Sequence, residues 1–235
     1  MTPFLGELVG TALLILLGDG VVANVVLPRT NGHASGWIVI TFGWAMAVFV
    51  AVFAVAGVSG AHLNPAVTLG LALAGKFAWS AAPAYVAAQL LGAVIGAALV
   101  WLVYRPHLDL CDDPAAQRAV FCCAPAVRAP LHNLAVELIA TAVLVFGVLR
   151  IEGRASSLGS VDALPVALLV LAIGLSLGGP TGYAINPARD LGPRVAHALL
   201  PMRHKGPSDW PYAWIPVVGP LLGAALVAGL AARAS

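Results

Sequence analysis

Apolar residues run along this chain in six long blocks, at about 4–27, 36–57, 83–104, 131–151, 163–179 and 211–232, with very few charges inside them. A helix that crosses a bilayer needs about 20 mostly apolar residues, and the six blocks have about that length. Two shorter stretches, at about 64–75 and 186–198, each open on Asn-Pro. They are too short to span and suit half-membrane helices. Asn before the first turn is a good cap, and Pro at the first helical position gives up an N–H that would be unpaired anyway. Polar residues collect in the connections. The longest, about 105–130, holds Asp109, Asp112, Asp113, Arg118, Arg128 and all three cysteines. A second runs over 201–210, and a short one over 150–162 carries Arg150, Glu152, Arg154 and Asp162.

The pattern repeats. GELVGTALLILLG, Gly6 to Gly18, resembles VELIATAVLVFG, Val136 to Gly147, with Glu7 and Glu137 in matching places. GVSGAHLNPAVTLG resembles GGPTGYAINPARDLG around Asn64 and Asn186. Each half, about 1–104 and 131–235, thus holds three spans and one half-helix, joined by the 105–130 loop. An odd number of spans inverts the second half relative to the first, and inverted repeats place paired sites near the midplane.

Composition narrows the class. Of 235 residues 60% are apolar and 9% are charged, against roughly 25% charged in ordinary soluble domains. The mean hydropathy is +0.94. A soluble enzyme or a nucleic-acid binder does not fit these figures, and a net charge of +2 is too small to imply a polyanionic partner. The expectation is one all-α membrane domain over 1–235, of six transmembrane helices and two re-entrant half-helices. The 25 Gly and 17 Pro lie largely within the apolar runs. Breakers at membrane depth are tolerated where the freed backbone is buried in protein or lines a cavity, so they point to a pore.

Two Asn-Pro-Ala triplets, Asn64-Pro65-Ala66 and Asn186-Pro187-Ala188, with matching upstream Glu and Arg189 directly after the second, resemble the major intrinsic proteins, the aquaporin and aquaglyceroporin family. The resemblance covers essentially the whole chain. It implies half-helices whose N-termini meet at the membrane centre, where their dipoles, about half a charge each, disfavour cations and protons. The rival reading is that each Asn-Pro only caps a buried helix. The resemblance further implies that the loops before the triplets line the pore with carbonyls, here Gly60, Ala61 and His62, and Gly182, Tyr183 and Ala184. It implies a selectivity filter of Trp44, Gly174, Tyr183 and Arg189. Gly174 stands where water-selective members usually carry His, and so opens the constriction. Trp44 and Tyr183 form an apolar corner, and Arg189 faces it with up to five donors. Such a site suits glycerol. Asp190, Arg194, Pro216 and Val217 match the glycerol-conducting branch. Tyr183 departs from the commoner Phe, and its hydroxyl either narrows the pore or adds a hydrogen-bonding group.

Each of these residues has a plainer reading. Trp44 as a packing or interfacial aromatic and Arg189 as a buried cation paired with Asp190 both remain open. Glu7 and Glu137 would be costly at membrane depth if unpaired. In the family they accept hydrogen bonds from the pore loops, while intramembrane carboxylates elsewhere serve proton relays. His62 and Gln89 are family-typical, His62 as a loop-fixing residue. Asp19 is unexpected, and the sequence places it no further than a mouth-facing position. Cys111, Cys122 and Cys123 suit a loop disulfide or free thiols better than a metal site with His107.

The expectation is a passive channel for glycerol and other small neutral polyols, with water, that excludes protons and ions, with no catalysis, cofactor or metal. The alternatives are a channel mainly for water or another small neutral solute, and a proton-coupled secondary transporter using Glu7 and Glu137. The resemblance implies a homotetramer in the cell membrane with both termini cytoplasmic. Charge counting disagrees on orientation. That topology leaves Lys76, Arg150, Arg154 and Arg233 inside, against Arg29, Arg105, Arg118, Arg128, Arg194, Arg203 and Lys205 outside, opposite to the positive-inside trend.

Overall fold

A computed structural model describes residues 1–152 and 163–234. The described chain is all-helical. In chain order the helices are α1 (Pro3–Val26), α2 (Trp37–Ser59), α3 (Pro65–Leu73), α4 (Ala82–Leu110), α5 (Pro114–Phe121), α6 (Pro130–Glu152), α7 (Leu164–Leu177), α8 (Pro187–Leu199) and α9 (Ile215–Ala234), with a 3₁₀ turn at Trp210–Tyr212 before α9. Among the described residues, five helical segments are long and apolar enough to cross a bilayer: α1, α2, α4, α6 and the stretch Trp210–Ala231. The sixth expected span, α7, is apolar but has 14 residues, about 21 Å of helix at 1.5 Å per residue. Arg154 and Asp162 of the expected 150–162 loop lie outside the described residues.

The two Asn-Pro stretches form α3 and α8, as expected. Each has Pro at its start and an Asn N-cap in extended conformation. The halves interlock through these short helices. Within the halves α1 packs on α2 and α4, and α6 on α7 and α9. Each half-helix also crosses over, so that α3 packs on α9 and α8 on α4. This exchange brings the two helix N-termini together.

Three boundaries differ from the sequence reading. α4 has 29 residues and runs to Leu110, with Pro106 inside it. It therefore outruns the roughly 30 Å hydrocarbon layer and takes in the start of the expected 105–130 loop. That loop also contains α5, capped by Asp113, whose side chain accepts from the Ala115 N–H. The last span starts at Ile215 because Trp210-Pro211-Tyr212 forms the 3₁₀ turn. All three cysteines are buried and unbridged in this structure.

Candidate functional site: a cavity at the half-helix junction

The junction is built from the two capping asparagines. Asn64 Oδ1 accepts from the Ala66 N–H at 2.8 Å. Asn186 Oδ1 accepts from the N–H groups of Ala188 and Arg189 at 3.0 and 3.2 Å. Each Nδ2 then donates across the junction. Asn64 reaches the Ile185 carbonyl at 2.8 Å, and Asn186 reaches the Leu63 carbonyl at 2.8 Å. An amide NH₂ has two hydrogens, so each asparagine keeps one donor beyond this pair of bonds. Both residues line a cavity of about 160 Å³.

The loops that enter the junction are held open by two carboxylates. Glu7 is fully buried. It accepts from Ser59 Oγ (2.7 Å), the His62 N–H (2.9 Å), the Leu63 N–H (2.7 Å) and Gln89 Nε2 (2.7 Å). Glu137 accepts from Thr181 Oγ1 (2.7 Å), the Ala184 N–H (3.0 Å) and the Ile185 N–H (2.9 Å). Three of the bonds match position for position, and the Gln89 bond to Glu7 has no counterpart on Glu137. With their N–H groups turned toward the carboxylates, the loop residues adopt left-handed backbone at alternate positions. Ala61 and Leu63 both have φ of 51°, Tyr183 has 37° and Ile185 has 43°. Such geometry is an outlier for a β-branched residue like Ile185, and it persists because the carboxylates over-determine it.

That arrangement leaves one edge of the loop backbone for the cavity. Gly60, Ala61, His62, Leu63, Tyr183, Ala184 and Ile185 all line it. The carbonyls of Leu63 and Ile185 take the asparagine donors. Those of Gly60, Ala61, His62, Tyr183 and Ala184 accept no hydrogen bond from other described residues. Gly182 does not line the cavity; its carbonyl accepts from Cys123 Sγ at 3.6 Å. Apolar side chains also line it, among them Leu14, Val48, Val52, Leu144 and Val170. His62 bonds Thr68 Oγ1 through Nδ1 at 3.1 Å and packs edge-on to Phe77 and tilted against Tyr85, which ties the loop to α3 and α4.

One end of the cavity is closed by Trp44, Tyr183 and Arg189. The Arg189 guanidinium lies 4.3 Å from the centre of the Trp44 ring, a cation–π contact. Asp190 does not pair with it. That carboxylate is taken by Arg194, with Nε–Oδ2 and Nη2–Oδ1 both at 2.8 Å, inside the fold. Arg194 also donates to the carbonyls of Cys123, Ser208 and Asp209, so the Asp190–Arg194 pair clamps the segment at Cys123 and the 208–209 turn onto α8. Arg194 thus lies within α8 and is paired inside the fold.

Gly174 stands behind this end of the cavity, not on its surface. A Cβ there would sit 2.9 Å from Tyr183 Cζ and 3.1 Å from Thr41 Cγ2, so the space that a side chain would fill is occupied by the tyrosine ring. The Gly174 carbonyl accepts from Trp37 Nε1 at 3.1 Å, and Trp37 packs edge-on to Tyr183 at 5.8 Å. Pro216 and Val217 start α9 and do not touch the cavity. Asp19 is fully buried, not mouth-facing. Sequence reading missed Ser59 and Thr181, although the matched Ser-Gly and Thr-Gly pairs of the two repeats carried the signal. It also missed the Leu63 and Ile185 carbonyls and the apolar side chains of the lining, which no motif marks.

Similarity settles the family. The chain matches the family described as "Major intrinsic protein" over residues 1–231. It belongs to that family. Among relatives of this member, a "Probable glycerol uptake facilitator protein" of Thermotoga maritima is 57% identical over 98% of both chains. The "Glycerol uptake facilitator protein" of Bacillus subtilis is 53% identical over 95% of this chain and 81% of its own length. The "X-ray structure of the aquaglyceroporin from Plasmodium falciparum" superposes with a TM-score of 0.85 at 31% identity, covering 97% of this chain and 93% of that one. The aquaporin-like fold of inverted halves is thus established for this major intrinsic protein, as is its multi-pass membrane character.

Proposed function

We propose that this protein is a passive channel for glycerol and other small neutral polyols, with water, that excludes protons and ions. The observation that carries the reading is the mixed lining of the cavity, in which unpaired loop carbonyls and two asparagine donors occur together with apolar side chains such as Leu14, Val48 and Val170. A polyol has a hydroxyl face and a carbon face, and so finds partners for both. The names of the relatives point the same way. Trp44, Tyr183 and Arg189 act as the selectivity filter, with Gly174 making room for the tyrosine ring. Asn64 and Asn186, with the dipoles of α3 and α8 behind them, orient the solute and oppose cations.

The proton-coupled alternative loses its support in the Glu7 and Glu137 geometry. A relay carboxyl must take up and pass on a proton, whereas these two are saturated by donors and work as fixed acceptors. The reading extends to halves of about 1–104 and 131–235, a homotetramer in the cell membrane, and cytoplasmic termini, and it involves no catalysis or cofactor. Light scattering on proteoliposomes after an osmotic step tests it. Glycerol should enter about tenfold faster than through protein-free vesicles, equivalent to a barrier lower by about 1.4 kcal/mol. Entry no faster than the lipid background, with water flux raised, would instead make this a water channel.

A further inference from the structure

The Tyr183 ring at the closed end of the cavity is held by packing, not by its hydroxyl. That hydroxyl is buried and has no hydrogen-bond partner among the described residues, so nothing anchors the tip of the ring. The ring rests on two glycines at the end of α7. A Cβ on Gly174 would come 2.9 Å from Tyr183 Cζ, and one on Gly178 would come 2.5 Å from Cδ1. The Gly178 position meets a second ring as well, with Trp37 Cζ2 at 2.9 Å. Trp37 opens α2 and does not line the cavity. It stands edge-on to Tyr183, with ring centres 5.8 Å apart and planes at 80°, an arrangement that aromatic pairs favour. Its Nε1 donates to the Gly174 carbonyl at 3.1 Å. Gly174 is among the last four residues of α7, whose carbonyls find no partner within the helix. Trp37 thus ties the end of α7 to α2 through its N–H and closes one edge of the tyrosine's seat with its ring.

We propose that Trp37 is a positioning residue of the selectivity filter: it fixes how far the Tyr183 ring stands into the lumen, and so sets the width of neutral solute that the filter admits. The proposal rests on the channel reading above. With Trp37 in place the ring has glycine backbone beneath it and an indole at its edge, and it cannot draw back from the lumen. Without the indole that edge is open and the ring, which no hydrogen bond holds, retreats into the vacated space. Trp37 is 40% exposed, so its truncation opens a space at the surface of the fold and leaves no closed void in the core. Trp37 touches no solute and acts only through Tyr183. An exposed tryptophan at a helix end also suits an interfacial anchor, but an anchor has no bearing on solute width.

The test compares wild type, Trp37→Leu, Tyr183→Leu and the double variant in proteoliposomes. Light scattering after an osmotic step reads the entry of glycerol and of glycerol methylated at its central carbon. Glycerol entry by the wild type tests the channel reading on its own. One extra methyl group in a fitted site costs about tenfold or more, so Trp37→Leu should raise the methylglycerol-to-glycerol ratio by about tenfold. Where Tyr183→Leu has already removed the ring, Trp37→Leu should change the ratio by less than about twofold, because residues that act through one contact are not additive. An unchanged ratio in a Trp37→Leu channel that still passes glycerol would overturn the proposal. So would a rise of the same size in the Tyr183→Leu background. A membrane anchor or a purely structural role would lower both fluxes together and leave the ratio alone, which also counts against it. If Trp37→Leu does not reconstitute, Trp37→Met, which refills part of the volume with a flexible side chain, is read on the same ratio with the same deciding outcomes.

Discussion

At the scale of single residues, the two buried glutamates carry more of this architecture than the asparagines that mark it in the sequence. Glu7 receives four hydrogen bonds and Glu137 three, and those bonds hold Leu63 and Ile185 in left-handed backbone. Glu7→Gln would present an NH₂ to donors that need an acceptor. Leaving one or two buried N–H groups unpaired costs on the order of 3 kcal/mol, and we expect the unfolding midpoint in detergent to fall by roughly 10 °C with most glycerol flux lost. A midpoint within a degree or two of wild type would mean that the loop is held by other contacts. Gly174 makes a second case. Gly174→His must displace the Tyr183 ring, which lies 2.9 Å from the added Cβ, toward the lumen. Glycerol permeability should therefore drop far more than water permeability in paired osmotic assays, and an equal loss would show that the ring yields elsewhere. The repeat made the Glu–Asn frame legible from sequence. What escaped it was which side of Gly174 is filled, because that depends on a ring contributed by a different segment.

Among the helices, the closest approaches use the same device twice. In α4, a Cβ on Gly92 would lie 2.3 Å from the Leu8 carbonyl oxygen, and one on Gly96 would lie 2.6 Å from that of Ala12. In α9, Gly219 and Gly223 meet α6 in the same way, the latter at 2.4 Å from the Leu138 carbonyl oxygen. Both pairs are Gly-xxx-Gly, in corresponding spans of the two halves, and such spacing lets membrane helices touch backbone to backbone. The obstacle is backbone, which cannot rotate away as a side chain can. Gly96→Leu or Gly223→Leu should therefore prevent α1–α4 or α6–α9 closure, with loss of monodisperse protein on gel filtration in detergent. A folded, conducting Gly96→Leu channel would contradict this account of the crossing. Helix positions were largely legible because apolar length and Asn-Pro caps are local signals. α5 was not read from the sequence, because Asp113-Pro114 ahead of Ala-Ala-Gln-Arg sits inside a polar connection. The overrun of α4 past Pro106 had no clear local signal, since proline in a helix interior normally ends or kinks it.

For the molecule as a whole, the end that carries α5 and the 201–210 segment is sealed by polar contacts that composition alone did not reveal. Arg194 and Asp190 bind the segment at Cys123 and the 208–209 turn to α8, Gln117 donates to the carbonyls of Leu108, Cys111 and Arg203, and Arg128 pairs with Asp209. Cys122 and Cys123 are enclosed by this seal. Burial pushes the Cys122 thiol up from its ordinary value near 9 to about 12, and burial pushes Cys123 upward as well. An acid that ionises less readily folded than unfolded supports the fold fully while both states keep the proton. For Cys122 that support is complete below about pH 9 and is lost as pH rises through about 12. The unfolding midpoint of wild type should thus fall by several degrees between pH 8 and pH 11, and the fall should be shallower in a Cys122→Ser, Cys123→Ser double variant, which has no thiol to ionise there. Parallel pH profiles for the two proteins would show that this seal admits water to these thiols, and would locate the alkaline instability in the lysine and tyrosine side chains instead.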